Sequence, residues 1–377
     1  MDRLSPRLFD HFADLPDPRI QRTRRHELLD IIAIAVCAVI CGADSWVEVE
    51  VFGRAKEPWL RRFLALPGGI PSHDTFGRVF ARLDPDAFAR CFLSWVRSVM
   101  QHTDGEVVAI DGKVLRRSHD RGAGQAAMDL VSAWASENRL VLGQVAVDAK
   151  SNEIPAVPAL LDLLALEGCI VTVDAMHCQT ATAQAIIDRG ADYVVQLKAN
   201  QPEAYAAVET FFAEAMRDDW RDVVHQTLVT EDVDHGRLEQ RRYWTSTDAA
   251  LLAYLNADDA WADLASVGMV ERTRTHDGQT SHETSYYLSS LDGTVATVAR
   301  AVRGHWSIEN AQHWVLDIAF REDECRVRTG HAAENFAVLR RVALNLLQRD
   351  ATTRAGVKAR RLRAGWDDAF LLRLIHQ

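Results

Sequence analysis

Several signatures that would settle a function at once are missing. The six cysteines, Cys37, Cys41, Cys91, Cys169, Cys178 and Cys325, include no Cys-x-x-Cys pair and sit mostly among apolar neighbours. That argues against a zinc finger or a disulfide framework and fits a reduced, cytosolic chain. No His-Glu-x-x-His occurs, which leaves a zincin without support. No signal-peptide pattern opens the sequence, and the long apolar run from Leu28 to Cys41 carries Asp30 and is too short to span a bilayer comfortably. It reads as a buried helix, so a cytoplasmic protein with no membrane partner is expected.

A surplus of positive charge is also missing. The formal charge is −10, which argues superficially against a polyanionic partner. Its distribution matters more. Lys and Arg number 14 against 14 acids in residues 1–104, 15 against 30 in residues 105–299, and 14 against 9 in residues 300–377. The acidity belongs to the middle, and the ends carry the arginine clusters RIQRTRR (Arg19 to Arg25) and RAGVKARRLR (Arg354 to Arg363). From Cys325 onward eleven basic residues face four acids, with Trp366 and Phe370 interleaved; this is either a phosphate-binding tail or a solvated one.

What is present at 377 residues is enough for two or three domains. Residues 1–104 read as all-helical: His26 to Cys41, Ser45 to Leu66, His73 to Leu83 and a last helix through Met100, broken by Pro67-Gly68-Gly69-Ile70-Pro71. The short helix bearing Arg78 and Arg82 is compatible with a helix-turn-helix and equally with a plain bundle. Residues 105–201 alternate strand and helix: three strands in hairpin succession, then two crossover units, the order of a ribonuclease-H-like mixed sheet. Residues 202–293 read as a mostly β insertion. Residues 294–350 complete the core with a long helix from Thr294 to about Phe320, and residues 351–377 form the basic tail.

Two strands of the core end in an acid. EVVAIDGKVLRRS carries Asp111 onto an expected Gly-Lys turn, and CIVTVDA ends at Asp174. If the strands are parallel neighbours, about 4.8 Å apart, both carboxylates enter one crevice at the carboxyl end of the sheet. The long helix adds Glu309, flanked at four-residue spacing by His305 and His313 on one face. Three carboxylates with few soft ligands suit Mg²⁺ or Mn²⁺ better than zinc, and two such ions serve phosphodiester chemistry. Lys113, Arg116 and Arg117 follow the first acid and read either as phosphate contacts or as an exposed hairpin edge. Lys198 faces the same crevice. Glu322, Asp323 and Glu324 read as solvated surface, and Phe336 to Leu347 as an amphipathic helix with Arg340 and Arg341 outward.

In combination, AIDGK, TVDAMHCQ, QLKANQ, HWSIEN and HWVLDIAFREDECRVR resemble the ISAs-type, H-repeat-associated insertion-sequence transposases of the DDE superfamily. FADLPDPRIQRTRRHELLDIIAIAVCAVICGADSW resembles their N-terminal associated domain, so the likeness covers nearly the whole chain. The resemblance implies a ribonuclease-H-like core with a β insertion and an acid triad at Asp111, Asp174 and Glu309. It also implies metal-dependent cleavage and transfer of double-stranded DNA at element ends and at a target. A homodimer on DNA, in the bacterial cytoplasm and on the nucleoid, goes with it. A catalytically silent DNA-binding copy is the alternative. Hairpin-forming relatives carry Tyr-x₂-Arg-x₃-Glu-x₆-Lys around the last acid, where this chain has Val302, His305, Glu309 and Leu316. His305 or Arg303 is then the candidate to replace the missing arginine at a phosphate.

Overall fold

The computed structural model describes residues 7–101, 103–119, 126–147, 154–234, 237–276 and 278–377. A short helix, α1 (Arg7–Asp10), precedes α2 (Leu28–Ile40), α3 (Trp46–Leu60), α4 (His73–Arg82) and α5 (Pro85–Val99). Helix α2 is apolar all round except for Asp30, and nearly every residue in it is buried. The buried Asp30 carboxylate accepts from the Leu66 amide at 2.8 Å, which satisfies the one charge in the run. Ser45 caps α3 by accepting from the Glu48 amide at 3.4 Å, and Asp84 caps α5 through the amides of Asp86 and Ala87. Phe76, Val79 and Phe80 turn the buried face of α4 inward, and Trp46 of α3 stacks on Phe80 at 4.7 Å.

The core is a single sheet. Its strands are β1 (Val107–Leu115), β2 (Met128–Ala135), β3 (Leu140–Ala146), β4 (Ile170–Val173) and β5 (Asp192–Leu197), with α6 (Ala156–Leu163) and α7 (Thr180–Ile187) between them. The third strand is expected from Leu140 to Ala149, and residues 148–149 lie outside the described residues. Then come α8 (Pro202–Arg217), β6 (His225–Asp234), β7 (Arg237–Ser246), α9 (Ala249–Leu255), β8 (Ser266–His276) and β9 (Gln279–Ser289). The strand order is β3-β2-β1-β4-β5-β9-β8-β7-β6. Strands β1, β4 and β5 are parallel, and the rest pair antiparallel. The insertion strands do not stand apart: β9 pairs with β5, from Val194 opposite Ser289 to Leu197 opposite Tyr286, and extends the same sheet.

The expected long helix from Thr294 is divided. It runs as α10 (Val295–His305), a π-helical turn over Glu309–His313, and α11 (Trp314–Phe320). Helix α10 lies against β1 and β4 through Val298, Ala301 and Val302 packed on Val107 and Ile170. Gly304 permits that approach, because a Cβ there would meet the Val107 side chain at 2.8 Å. The sheet face under this segment carries Trp134, whose indole N–H donates to Ser307 at 2.9 Å.

Helix α12 (Ala332–Arg349) is buried on every side and joins the two halves of the molecule. Asn335 donates to the carbonyls of Phe80 and Leu83 at 2.8 and 2.9 Å, and Asn345 brackets the Val141 backbone at 2.8 and 2.9 Å. The expectation that Arg340 and Arg341 face outward is corrected: they are 1% and 0% exposed. Both faces of this helix are occupied, by helices on one side and by the sheet on the other, so no solvent face remains. The residues expected as a basic tail form α13 (Val357–Trp366) and α14 (Asp368–Ile375), with Phe370, Leu371, Leu374 and Ile375 in the core. Arg361 reaches the Val39 carbonyl at 2.7 Å and lies over Phe320, which ties this end to α2.

One pH dependence follows from α12. Glu334 faces Asp86 and Asp84; burial first, then those two carboxylates, push its carboxyl up from 4.5 to about 7. A raised acid favours the protonated folded state, so its contribution is full below pH 4.5 and is lost as pH rises towards 7. Glu334→Gln should match the parent at pH 4.5 and exceed it at pH 8 by about 1–3 kcal/mol. Urea unfolding at the two pH values checks this, and an equal gap at both would refute it.

Candidate active site

The site begins with the register of β1 and β4. Val107 to Ile110 pair with Ile170 to Val173, and β4 stops there while β1 continues. Asp111 therefore does not sit on a terminal turn as expected; it lies inside β1, opposite Ser132 of β2. Pairing with β2 as far as Leu115 holds the Asp-Gly-Lys segment extended. Asp174 is the first residue beyond β4, beside Asp111 on the same face of the sheet by the alternation of side chains. There it caps a short 3₁₀ turn, Ala175–His177, by accepting from the His177 amide at 3.4 Å.

A cavity of about 180 Å³ opens at this point, lined by Asp111, Asp174, Glu309, Lys198, His305 and Thr172 among others. Glu309 enters from the π-helical turn, and its side chain is exposed. A π turn is wider than an α turn and is common at functional sites, because it re-aims the residues that follow it. Here it sets His313 against β1, with Nδ1 3.4 Å from Asp111 Oδ2. His305 is held from the other side by Thr172, with Nδ1 3.0 Å from Oγ1. Burial lowers both imidazoles, His305 to about 4 and His313 to about 3, the second helped by Lys113 and Arg341. Both are neutral at pH 7. Among the described residues no three His, Cys, Asp or Glu side chains close into a ligand cluster. The three carboxylates instead line one cavity, each from its own element.

The expected phosphate contacts divide. Lys198 is exposed and lines the cavity, on a loop held by Asn200 and Gln201, which donate to the carbonyls of Ala175 and Cys178 at 2.7 and 3.0 Å. Lys113 is turned inward, 9% exposed, and pairs with Asp317 and Glu322. Arg116 is exposed and 3.2 Å from Asp323, while the Arg117 carbonyl accepts from Arg328 at 2.8 Å. Arg303 lies outside the cavity and pairs with Asp232 at 2.8 Å. Arg78 and Arg82 line a separate groove of about 570 Å³ with Arg326 and Arg328.

Sequence reasoning missed Gln196, Tyr287 and Trp306, which also line the cavity. Gln196 was findable: in YVVQLK, Val194, Gln196 and Lys198 alternate onto one face. Tyr287 and Trp306 arrive from β9 and from the turn after α10, and nothing local in the sequence points to them.

Residues 102–346 match the family model described as "Transposase DDE domain", and residues 9–96 match the one described as "DDE_Tnp_1-associated". The chain is 38% identical to the protein named "Putative transposase YncI" of Escherichia coli O157:H7, over 97% of this chain and 93% of that one. It is 35% identical to the "H repeat-associated putative transposase YhhI" of Escherichia coli strain K12, over 97% and 96%. A solved chain from a "piggyBac transposase synaptic complex with hairpin DNA" aligns at TM-score 0.41 and 11% identity, over 98% of this chain and 77% of that one, a likeness too slight to carry any argument. The H-repeat-associated resemblance is borne out: the chain belongs to the DDE transposase family, with a DDE domain preceded by that family's associated N-terminal domain.

Proposed function

We propose that the chain is an active DNA transposase, a metal-dependent polynucleotidyl transferase that cuts DNA strands at element ends and joins them to a target. The observation that carries the reading is the convergence of Asp111, Asp174 and Glu309 on one cavity beyond the end of β4. The strand order β3-β2-β1-β4-β5, with β1, β4 and β5 parallel, supports a ribonuclease-H-like core underneath it.

The donor set fits a divalent ion. Three carboxylates face one small cavity with no thiolate among its lining residues, which matches hard Mg²⁺ or Mn²⁺. Asp111, Asp174 and Glu309 would hold the ions, which supply charge to the attacking and leaving oxygens of an in-line displacement. In cleavage, a water oxygen bonds to phosphorus and the 3′-oxygen leaves, taking a proton. In joining, that 3′-hydroxyl attacks a target phosphodiester and displaces another 3′-oxygen. The chain's own residues prepare the ground. Lys198 brings a positive charge to the phosphate, and the neutral His305, fixed by Thr172, stands at the cavity wall without repelling a cation. Two copies acting on paired element ends would complete the reaction.

Millimolar Mg²⁺ or Mn²⁺ should raise the melting temperature, since a ligand at 100 times its Kd adds about 2.7 kcal/mol. Asp111→Asn should lose most of that shift. An unchanged melting temperature in the parent protein would count against the metal site.

A further inference from the structure

A groove of about 1350 Å³ lies outside the carboxylate cavity and meets it at Trp306, which lines both. Its lining is rich in guanidinium groups from three separate regions: Arg241, Arg272 and Arg274 on the insertion strands, Arg300 and Arg303 on α10, and Arg360 on α13. Arg139, from the β2–β3 turn, adds another, and Glu137 is the one acid among the described residues that line it. Four carboxylates steady these arginines: Glu137, within the lining, lies 3.0 Å from Arg300, and outside it Glu239 pairs with Arg241 and lies 3.5 Å from Arg274. Asp232 lies 2.8 Å from both Arg241 and Arg303, and Glu283 pairs with Arg272. Seven arginines against these four carboxylates leave the groove held in place and with a net positive charge.

Two tryptophans complete it. Trp306 and Trp314 flank Glu309 on the two sides of the π turn and are 37% and 61% exposed. Arg272 covers the Trp306 ring at 5.4 Å from its centroid. Trp314 makes no ring contact among the described residues, so an indole face stands open on the wall of a cationic groove. Guanidinium groups bind phosphate oxygens, and an open indole binds a base face. In a duplex the base faces are covered by their own neighbours, so only an unpaired base can occupy that wall.

We propose that this groove holds an unpaired stretch of DNA strand leading out of the carboxylate cavity past Trp306, with the arginines on its phosphates and Trp314 stacked on a base. The proposal deepens the strand-cleavage reading and rests on it for the direction in which the strand runs. It also gives the insertion strands a role, since β7 contributes Arg241 and β8 contributes Arg272 and Arg274 to the groove.

The test uses the full chain without divalent ions and measures fluorescence anisotropy of a labelled duplex carrying a single-stranded oligothymidine tail, beside the same duplex with blunt ends. The parent should bind the tailed duplex more tightly. Trp314→Ala should lose that preference by about 5- to 100-fold, the range seen for one base–aromatic stack. Trp366→Ala, 79% exposed and outside the groove, should keep it. Arg139→Ala with Arg274→Ala should lower the dependence of log Kd on log salt by about 1.4, the single-strand value for two phosphates. Equal affinity of the parent for tailed and blunt duplexes, or a preference that survives Trp314→Ala, would overturn the proposal. Metal-dependent cutting, scored separately, keeps the two readings apart. A parent that cuts while Trp314→Ala retains the preference loses the groove alone. A parent that never cuts but shows the Trp314 effect loses the catalytic reading alone.

Discussion

Glu309→Ala should bind a labelled duplex containing the element's own end as the parent does, yet cut it at least ~10³-fold more slowly in Mg²⁺ or Mn²⁺. A metal clamp contributes several kcal/mol to the transition state, and each 1.36 kcal/mol is a factor of ten. The variant separates chemistry from folding well, because Glu309 is exposed and starts the π turn, where its side chain packs into no core. Asp111→Ala should be equally inactive but less clean, since Asp111 also accepts from the Gly112 amide at 2.9 Å and faces His313. Groups that act as one unit do not add, so the double variant should be no slower than either single one. Cutting by Glu309→Ala at the parent rate would remove this residue from the site. If the parent binds the end and leaves it intact with either metal, the DNA-binding alternative takes its place.

How far this site could be read in advance depends on how local each contribution is. Asp111 and Asp174 stand out because each closes a run of buried apolar residues; an Asp before Gly is also an ordinary turn residue, so it is the recurrence of the pattern that marks them. Their adjacency follows once β1 and β4 are neighbours, and crossover rules favour that arrangement. The continuation of β1 to Leu115 is not local: it depends on β2 completing the ladder opposite Gly112 and Lys113. The joining of β9 to β5 is less legible still, since it unites residues 194 and 289, and alternation within a strand does not identify its partner. The same limit hides the π turn. Four-residue spacing of His305, Glu309 and His313 predicts one straight face, whereas the widened turn sends His305 to Thr172 and His313 to Asp111. The arginine groove was hidden because its charges come from five segments, of which only Arg303 and the Arg354 to Arg363 cluster stand out in the sequence, and neither points to the other.

Glu322 is where charge misleads most, and its replacement should give the largest loss of stability. Within REDE it looks like solvated surface. Arg321 adopts the left-handed conformation, φ +50°, and that turn drops Glu322 into the interior, where its side chain is 0% exposed. Burial alone would raise its carboxyl, but Arg341, Lys113 and Arg340 outweigh burial and hold it at about 2. It pairs with Arg341, itself 0% exposed, and lies 3.4 Å from Lys113, two residues along β1 from Asp111. Glu322→Ala leaves Arg341 buried without its partner, which should cost about 3–5 kcal/mol in urea unfolding. Total stability of a domain is only about 5–15 kcal/mol, so the variant should be close to unfolding at 37 °C. Adding Arg341→Met should recover much of the loss, because apolar packing replaces a buried ion pair at little net cost while a half-pair is expensive. A single variant within about 1 kcal/mol of the parent, or a double variant worse than the single, would show that the pair is not what holds α12 to the end of α11.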